Sequence, residues 1–213
     1  MIRFAPEGYP FIIISGLISV TVAVWPGPLY AVVPIITTAF MLYFFRDPER
    51  VVPDGKDIFV SPADGKIIVI RDVQEDRHLH VAAKQISIFM SPLNVHVNRA
   101  PCDGKVKSVR HNAGRFLAAY KDEASIRNEN IEMVLESVYG DILVRQVAGF
   151  VARRAVCRVK EGYQLMQGER YGIIKFSSRL DVYLPKDAMI KVKLGDSVRA
   201  GETLLAQAHS EPK

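Results

Sequence analysis

Two uncharged apolar runs near the N-terminus constrain the fold of this chain more than any other feature. The first run covers residues 11–25 (FIIISGLISVTVAVW) and the second covers 29–45 (LYAVVPIITTAFMLYFF), with PGP between them. A bilayer-spanning helix needs about 17 to 20 apolar residues, so each run is near the lower limit. Only helices satisfy their own backbone hydrogen bonds in lipid. The sequence therefore predicts a helical hairpin over residues 1–50 that crosses the membrane or dips into one leaflet.

The residues beside the two runs predict how this hairpin is oriented. Arg3 precedes the first run, while Arg46 and Arg50 follow the second. Lysine and arginine near membrane segments favour the cytoplasmic side, so both ends are predicted to lie there. A cleaved signal peptide is disfavoured, because no small-residue cleavage site ends the first run and a second run follows at once. We therefore expect a protein of the cell membrane that faces the cytoplasm.

Composition narrows the class of partner. The net charge of +5 fits an anionic membrane surface or nucleic acid. Because no run of lysine and arginine is interleaved with aromatic residues, nucleic acid is disfavoured. The two cysteines, Cys102 and Cys157, form neither a zinc motif nor a disulfide framework. They are predicted to be small core residues in a reducing compartment, although a single disulfide between them stays open.

The chain from residue 51 onward has the pattern of short strands separated by turns. The stretch 189–205 (MIKVKLGDSVRAGETLL) is similar to the turn-rich half of lipoyl- and biotinyl-type barrel-sandwich domains. It lacks the exposed lysine tip that a carrier domain needs, so the similarity concerns architecture alone. The predicted fold class is mainly β (α+β), with a barrel-sandwich-like antiparallel β domain over 51–213 after the helical hairpin. No sustained internal repeat is expected, although PADGKIIVI (62–70) and KLGDSVRAGETLL (193–205) resemble one another.

Three residue types that could support self-modification chemistry occur in this region. Asp64 lies in a tight turn, His96 lies in an apolar strand, and Ser177 and Ser178 are adjacent hydroxyls in the strand-like stretch 172–185 (GIIKFSSRLDVYLP). A serine hydroxyl can attack the carbonyl before it when a base removes its proton and donors hold the oxyanion. Each residue also has an ordinary structural interpretation, and the order Asp, His, Ser proves little because triads are defined by geometry.

A metal site is not predicted. His78 and His80 alternate in a polar stretch (QEDRHLH) that is expected to be exposed. A two-histidine site needs a carboxylate or a third histidine that converges on the ion, and the sequence shows none.

Five motifs resemble those of the short-form, pyruvoyl-dependent phosphatidylserine decarboxylases. They occur in the family's order and span nearly the whole chain with the apolar start: FFRDPER (44–50), SPADGKI (61–67), FMSPLNVHVNRAPCDGKV (89–106), GERYGIIKFSSR (168–179) and DVYLP (181–185). Any one of them would be weak, but five in register are specific.

The resemblance implies a zymogen that cuts itself between Ser177 and Ser178. Ser178 would become a pyruvoyl group, the covalent cofactor, at the start of a smaller subunit (178–213), and residues 1–177 would form the larger, membrane-bound subunit. The family is a class of lyases in phospholipid biosynthesis: the pyruvoyl group forms a Schiff base with phosphatidylserine, which is decarboxylated to phosphatidylethanolamine. By resemblance, His96 handles protons and Asp64 assists it.

Two departures from the family pattern affect these assignments. Position 177 is serine where the family usually has glycine, which tolerates a strained backbone better. Arg99 stands where longer members have a second histidine, so either His96 serves both reactions or Arg99 binds the lipid phosphate. Arg179 is a further candidate for substrate binding or for holding the new chain end.

The expected partners are an anionic phospholipid substrate and the membrane, with the cleaved subunits staying together; a homo-oligomer is left open. Two other functions remain as alternatives. One is a non-enzymatic, membrane-tethered barrel-sandwich adaptor, and the other is a membrane-anchored serine hydrolase. Both alternatives predict an intact chain, whereas the decarboxylase predicts two fragments.

Overall fold

The computed structural model describes residues 3–114, 124–149, 154–176 and 178–209. The chain divides into two compact units, the first ending at residue 49 and the second beginning at residue 50. Ser177, one of the two predicted cleavage-site residues, lies outside the described residues.

The first unit is a helical hairpin, as predicted. A 3-10 turn at Pro6–Gly8 leads into α1 (Tyr9–Val24), and α2 (Val32–Phe44) returns alongside it. The side-chain hydroxyls of Ser19 and Thr38 lie 3.0 Å apart between the helices. At the other end, the Ala5 N–H donates to the Phe45 carbonyl over 2.8 Å. The two ends of the hairpin therefore lie side by side.

Apolar side chains cover the outside of this hairpin. Val24 and Trp25, at its turn, are 80% and 89% exposed. Among the described residues, the stretch Pro6–Val24 is long and apolar enough to cross a membrane, whereas α2 is shorter. The first unit is therefore a candidate membrane anchor.

The second unit consists mainly of antiparallel strands, which confirms the predicted β domain. Its elements are β1 (Ile58–Val60), β2 (Gly65–Glu75), β3 (Val81–Met90), β4 (Val97–Arg99), β5 (Gly104–Asn112), α3 (Ala124–Arg127), β6 (Asn130–Ser137), β7 (Gly140–Ala148), β8 (Ala155–Cys157), β9 (Gln164–Leu165), β10 (Arg170–Ile174), β11 (Ser178–Pro185), β12 (Met189–Ile190), β13 (Ser197–Val198) and β14 (Leu204–Gln207). Both cysteines are free, and Cys102 is buried in the core as expected.

The strand orders are symmetric. The large sheet has the order β13-β2-β3-β11-β7-β6-β5-β9, and two small sheets have the orders β1-β14-β12 and β4-β10-β8. When β1–β3 are exchanged with β4–β6, and β11–β14 with β7–β10, the large sheet keeps its strand order read in reverse. The same exchange converts one small sheet into the other. The domain is thus built from two similar halves. We name them the split half (58–90 with 178–207) and the inserted half (97–174).

Strand register supports this duplication residue by residue. Lys66 pairs with Phe89 in the split half, and Lys105 pairs with Glu136 at the matching place in the inserted half. Both strand pairs have a register shift at the same distance from the turn, between 67 and 69 and between 106 and 108. A Cβ on either turn glycine would meet a strand carbonyl, that of Phe89 at 2.2 Å from Gly65 and that of Glu136 at 2.6 Å from Gly104.

The expectation of no sustained repeat is therefore wrong. SPADGK (61–66) matches APCDGK (100–105) at a spacing of 39, whereas RVKEGYQLMQGE (158–169) matches KVKLGDSVRAGE (191–202) at a spacing of 33. The two matches have different spacings because one half is inserted into the other. The split-half segment therefore precedes its match in the first pair and follows it in the second. A search for a single fixed period cannot detect this arrangement.

The two halves differ most at one hairpin. In the inserted half, β6 and β7 are joined by a two-residue turn, with Ser137 paired to Gly140. The matching pair in the split half is Met90 with Ser178, but the chain leaves at Met90 and returns at Ser178 only after the whole inserted half. The predicted cleavage site therefore lies at an opened hairpin, where the chain re-enters the split half.

Candidate active site

Ser178 is the first residue of β11 and is held from both sides. It pairs with Met90 of β3 and with Ala148 of β7. Its side chain has no solvent exposure, and its Oγ lies 3.4 Å from the Sδ of Met90. The candidate nucleophile is therefore fixed inside the sheet, with its backbone at the point where the strand begins.

The backbone just upstream is strained. Phe176 has φ = 59°, in the left-handed region that bulky residues rarely adopt. Such a conformation costs about 1 to 3 kcal/mol and persists only when the surrounding structure imposes it. The sequence placed the expected strain at position 177; among the described residues it is Phe176, next to the predicted scissile segment, that carries it.

His96 lies directly before β4, beside the strand that leads to the cleavage site. Its ring is fully buried, and its Nδ1 lies 3.0 Å from the carbonyl oxygen of Asn94. Its own carbonyl accepts a hydrogen bond from the Ile174 N–H, at the end of β10. The histidine is therefore anchored two residues from the strained Phe176.

Asp64 is held by two different kinds of contact. Its Oδ1 accepts a hydrogen bond from the Ala200 N–H over 2.7 Å, and its Oδ2 pairs with the Arg50 guanidinium at 2.8 Å. Arg50 also donates to Glu202 at 2.9 Å. The side chains of Arg50 and Asp64 are 9% and 10% exposed, so this ion pair is largely shielded from water.

Strand register brings Asp64 to the same end of the sheet as Ser178. Because Lys66 pairs with Phe89 and Ser178 pairs with Met90, Gly65 lies in the same row as Ser178, with β3 between them. Neighbouring strands are about 4.8 Å apart, so roughly 10 Å separates the two outer strands of this row. The turn that carries Asp64 thus borders the opened hairpin.

Arg99 and Arg179 have buried guanidinium groups engaged with protein atoms. Arg99 donates to the Gly168 carbonyl over 2.9 Å. Arg179, which is fully buried, pairs with Asp181 at 2.6 Å and donates to the Ser87 hydroxyl at 2.9 Å. The pairing of Arg179 with Asp181 fits a role in holding the start of β11. Substrate binding by Arg99 and Arg179 stays a prediction.

Sequence reasoning missed other residues near the candidate site. The sequence identifies Arg50 only as a charge flanking the hairpin and as the last residue of FFRDPER, whereas in the structure it pairs with Asp64. The buried amides of Asn98 and Gln146 are joined by a 2.8 Å hydrogen bond, and the Asn98 Nδ2 lies 3.9 Å from the Met90 Sδ. The position of Asn98, two residues after His96, is the sequence signal for this contact, but its partner Gln146 is distant in the chain.

A buried ionic cluster occupies the face of the large sheet opposite to the Ser178 side chain. His78, predicted to be exposed, has a side chain only 7% exposed and pairs with Glu132 at 2.7 Å. Glu132 also pairs with Arg145 at 2.7 Å. The prediction for His78 is wrong because partners distant in sequence cover it. Among the described residues, no three metal-binding side chains converge here or elsewhere.

Comparison with known proteins identifies the family. The family model described as phosphatidylserine decarboxylase matches residues 37–206. The chain belongs to the phosphatidylserine decarboxylase family. It is 45% identical over 202 residues to a phosphatidylserine decarboxylase proenzyme of Geotalea uraniireducens, covering 94% of each chain. Proteins with the same name from Desulfotalea psychrophila and Geobacter sulfurreducens are 45% and 43% identical, with 95% and 94% of each chain covered. The resemblance drawn from the motifs is confirmed, and with it the expectation of a decarboxylase.

Proposed function

We propose that this protein decarboxylates phosphatidylserine to phosphatidylethanolamine with a pyruvoyl group that it makes from its own Ser178. The observation that carries the proposal is the opened hairpin, where Ser178 starts a strand held on both sides and Phe176 is strained just upstream. The relatives of this family are named as proenzymes, which fits a chain that must be processed.

In the proposed self-cleavage, the Ser178 hydroxyl attacks the carbonyl carbon of residue 177. The amide bond between them is replaced by an ester, and elimination at Ser178 then releases residues 1–177 with a carboxylate end and leaves dehydroalanine at position 178. The dehydroalanine rearranges to an imine, which takes up water and loses ammonia to give the pyruvoyl group. His96 accepts the hydroxyl proton, and Asp64 assists as the second acid–base group. Phe176 lies one residue before the 177–178 bond that breaks. Cleavage frees the chain end that carries this strain, so relief of the strain favours the rearrangement.

The surroundings of Ser178 fit an uncharged pyruvoyl group. Met90 and Ala148, which pair with Ser178, belong to the buried apolar core. Simple hydrolysis of the 177–178 bond would leave an ammonium group in this environment, and a buried unpaired charge costs several kcal/mol. A pyruvoyl group carries no charge, so the site is better suited to it than to a free amino terminus.

The pyruvoyl group supplies a ketone that condenses with the substrate amine and an adjacent carbonyl that takes up the electron pair left by carbon dioxide. The residues of the chain bind and handle protons. In this proposal His96 returns a proton to the substrate carbon, and Arg99 and Arg179 stay candidates for orienting the substrate.

The two subunits would remain associated after cleavage. β11 begins at Ser178 and pairs along its whole length with β3 and as far as Tyr183 with β7, and both strands belong to residues 1–177. The hairpin of residues 3–49 would hold the enzyme at the cytoplasmic face of the cell membrane, where its anionic lipid substrate lies.

Intact-mass analysis of the purified protein tests this proposal. Wild type is expected to give two fragments, with 178–213 lighter by one ammonia than its sequence and blocked to Edman degradation. Ser178→Ala is expected to give one full-length chain without decarboxylase activity, whereas Ser177→Ala is expected to cleave. An intact wild-type chain would contradict the proposal, and labelling of such a chain at Ser178 by a fluorophosphonate would indicate a serine hydrolase instead.

A further inference from the structure

A cavity of about 400 Å³ lies at the opened hairpin of the split half. It extends from the Asp64 turn across the ends of β2 and β3 to the start of the segment that follows Met90. Its lining is formed by Asp64, Gly65, Lys66, Phe89, Ser91, Asn94, Ser197, Val198 and Arg199. The cavity adjoins the catalytic candidates: Asp64 lines it, the Asn94 carbonyl accepts a hydrogen bond from His96, and Phe89 precedes the strand partner of Ser178.

The charges at this cavity differ from those at the matching place in the inserted half. Lys66 faces Phe89 across the strand pair, whereas its counterpart Lys105 faces Glu136. The counterpart of Arg199, at the spacing of 33 residues, is Met166. The split half therefore has two cations where the inserted half has one cation opposite a carboxylate.

The acidic groups near these cations are largely committed to other partners. Asp64 pairs with Arg50 at 2.8 Å. Glu202 accepts from Arg50 at 2.9 Å, and the same oxygen is 3.9 Å from the Arg199 Nη1. The Arg199 side chain is 73% exposed, so its guanidinium can reach a ligand at the mouth of the cavity.

We infer that Lys66 and Arg199 bind the phosphodiester of the substrate headgroup at the mouth of this cavity. The inference rests on the proposed function and deepens it. A phosphodiester is anionic, and lysine and arginine are the side chains that bind it best. In this arrangement Lys66 and Arg199 take the role that the sequence suggested for Arg99, whose guanidinium is buried against the Gly168 carbonyl.

Kinetics in neutral detergent micelles with graded phosphatidylserine test this site. Arg199→Met, which installs the residue of the inserted half, and Lys66→Gln are each expected to lower kcat/KM by roughly tenfold to a hundredfold through KM. Self-cleavage is expected to stay complete by intact mass, because neither cation touches Ser178. Arg199→Lys should retain most of the activity, and Lys105→Gln, the matched control in the inserted half, should behave as wild type.

Inhibition by glycerophosphoserine, a soluble headgroup analogue, tests whether the two cations bind the phosphate of the substrate headgroup or the phosphates of the membrane surface. This analogue should inhibit wild type and lose potency against Arg199→Met, whereas serine amide, which lacks phosphate, should inhibit both equally weakly. An unchanged KM in the Lys66→Gln/Arg199→Met double variant would overturn the inference. So would a loss seen only on anionic vesicles and absent in neutral micelles. A wild-type enzyme without turnover would instead overturn the proposed function.

Discussion

The split half and the inserted half share a framework, and their differences mark the candidate active site. In both halves the aspartate of an Asp-Gly-Lys turn accepts a hydrogen bond from a backbone N–H at one carboxylate oxygen. The donor is the Ala200 N–H at 2.7 Å for Asp64 and the Gln167 N–H at 2.6 Å for Asp103. Among the described residues, an arginine contacts the other carboxylate oxygen of Asp64 but not that of Asp103. The comparison separates a structural contact that both turns need from a charged contact that belongs to one of them.

The hairpins show the same division. Gly140 closes the hairpin of the inserted half with φ = 102°, a conformation that glycine adopts without strain. Its counterpart Ser178 begins a strand after a long excursion of the chain, and the left-handed residue nearby is Phe176. The intact hairpin is a relaxed turn, and the opened one concentrates strain beside a buried hydroxyl.

The largest expected effect comes from exchanging the two turn aspartates for asparagine. Asp64→Asn is expected to slow self-cleavage by about 10² to 10⁴-fold, the usual contribution of a general acid or base. Asp103→Asn, the matched control, should cleave at the wild-type rate. Time courses of fragment formation on denaturing gels measure both. Equal slowing by the two variants would mean that the turns have the same role.

The next effect concerns stability at the ionic cluster. Burial, the largest single influence, raises the pKa of Glu132, but Arg145 and His78 together outweigh it, so the pKa lies below the usual 4.5. Because the pKa of Glu132 is lower in the folded state, its ionised carboxylate stabilises the fold above pH 4.5. This stabilisation is lost as the pH falls through the folded-state pKa. Glu132→Gln should therefore cost about 3 kcal/mol at neutral pH, and the difference should shrink below pH 4.5.

Urea unfolding of the uncleaved Ser178→Ala chain measures this difference across the pH range. The counterpart of Glu132 in the split half is Gln85, an uncharged residue that accepts from Arg71 at 2.8 Å. Gln85→Leu should cost about 1 kcal/mol, with no dependence on pH between 3 and 7 attributable to that position. A pH-independent cost for Glu132→Gln would refute the assigned ion pairs.

A smaller effect is expected at Arg50, which acts through Asp64. Arg50→Gln should slow self-cleavage by about 10- to 30-fold, since the carboxylate loses a charge-assisted hydrogen bond. Arg50→Lys should recover part of the rate. In the Asp64→Asn background, Arg50→Gln should cause little further slowing, because contacting residues are not additive. Full additivity would show that Arg50 acts independently of Asp64.

The smallest effect is expected from releasing the strain at Phe176. Phe176→Gly adopts positive φ without penalty, so self-cleavage should be about fivefold slower, equivalent to about 1 kcal/mol of strain lost as a driving force. Phe176→Ala keeps the Cβ and should stay closer to wild type. If the glycine variant cleaves as fast as wild type, the strain has no part in the reaction.

Local signals predicted several parts of this molecule correctly. The hairpin followed from two apolar runs and a proline-glycine break, and the β domain followed from short alternating strands between turns. The five motifs identified the family because each is a contiguous stretch. Ser178, His96 and Asp64 follow from the family resemblance. The structure places Ser178 and the turn of Asp64 at one end of the large sheet and His96 directly before β4 of a small sheet, and their chemical roles stay proposals.

The sequence by itself determined the helical hairpin, the β character and the family, because each depends on neighbouring residues along the chain. The tertiary structure alone decided that one half is inserted into another, that Arg50 meets Asp64, and that His78 is buried against Glu132. These features join residues distant in the chain, since strand pairing and ion pairs depend on where the backbone returns. The backbone strain at Phe176 belongs to the same class, because the surrounding strands impose it and the residue's own preference opposes it.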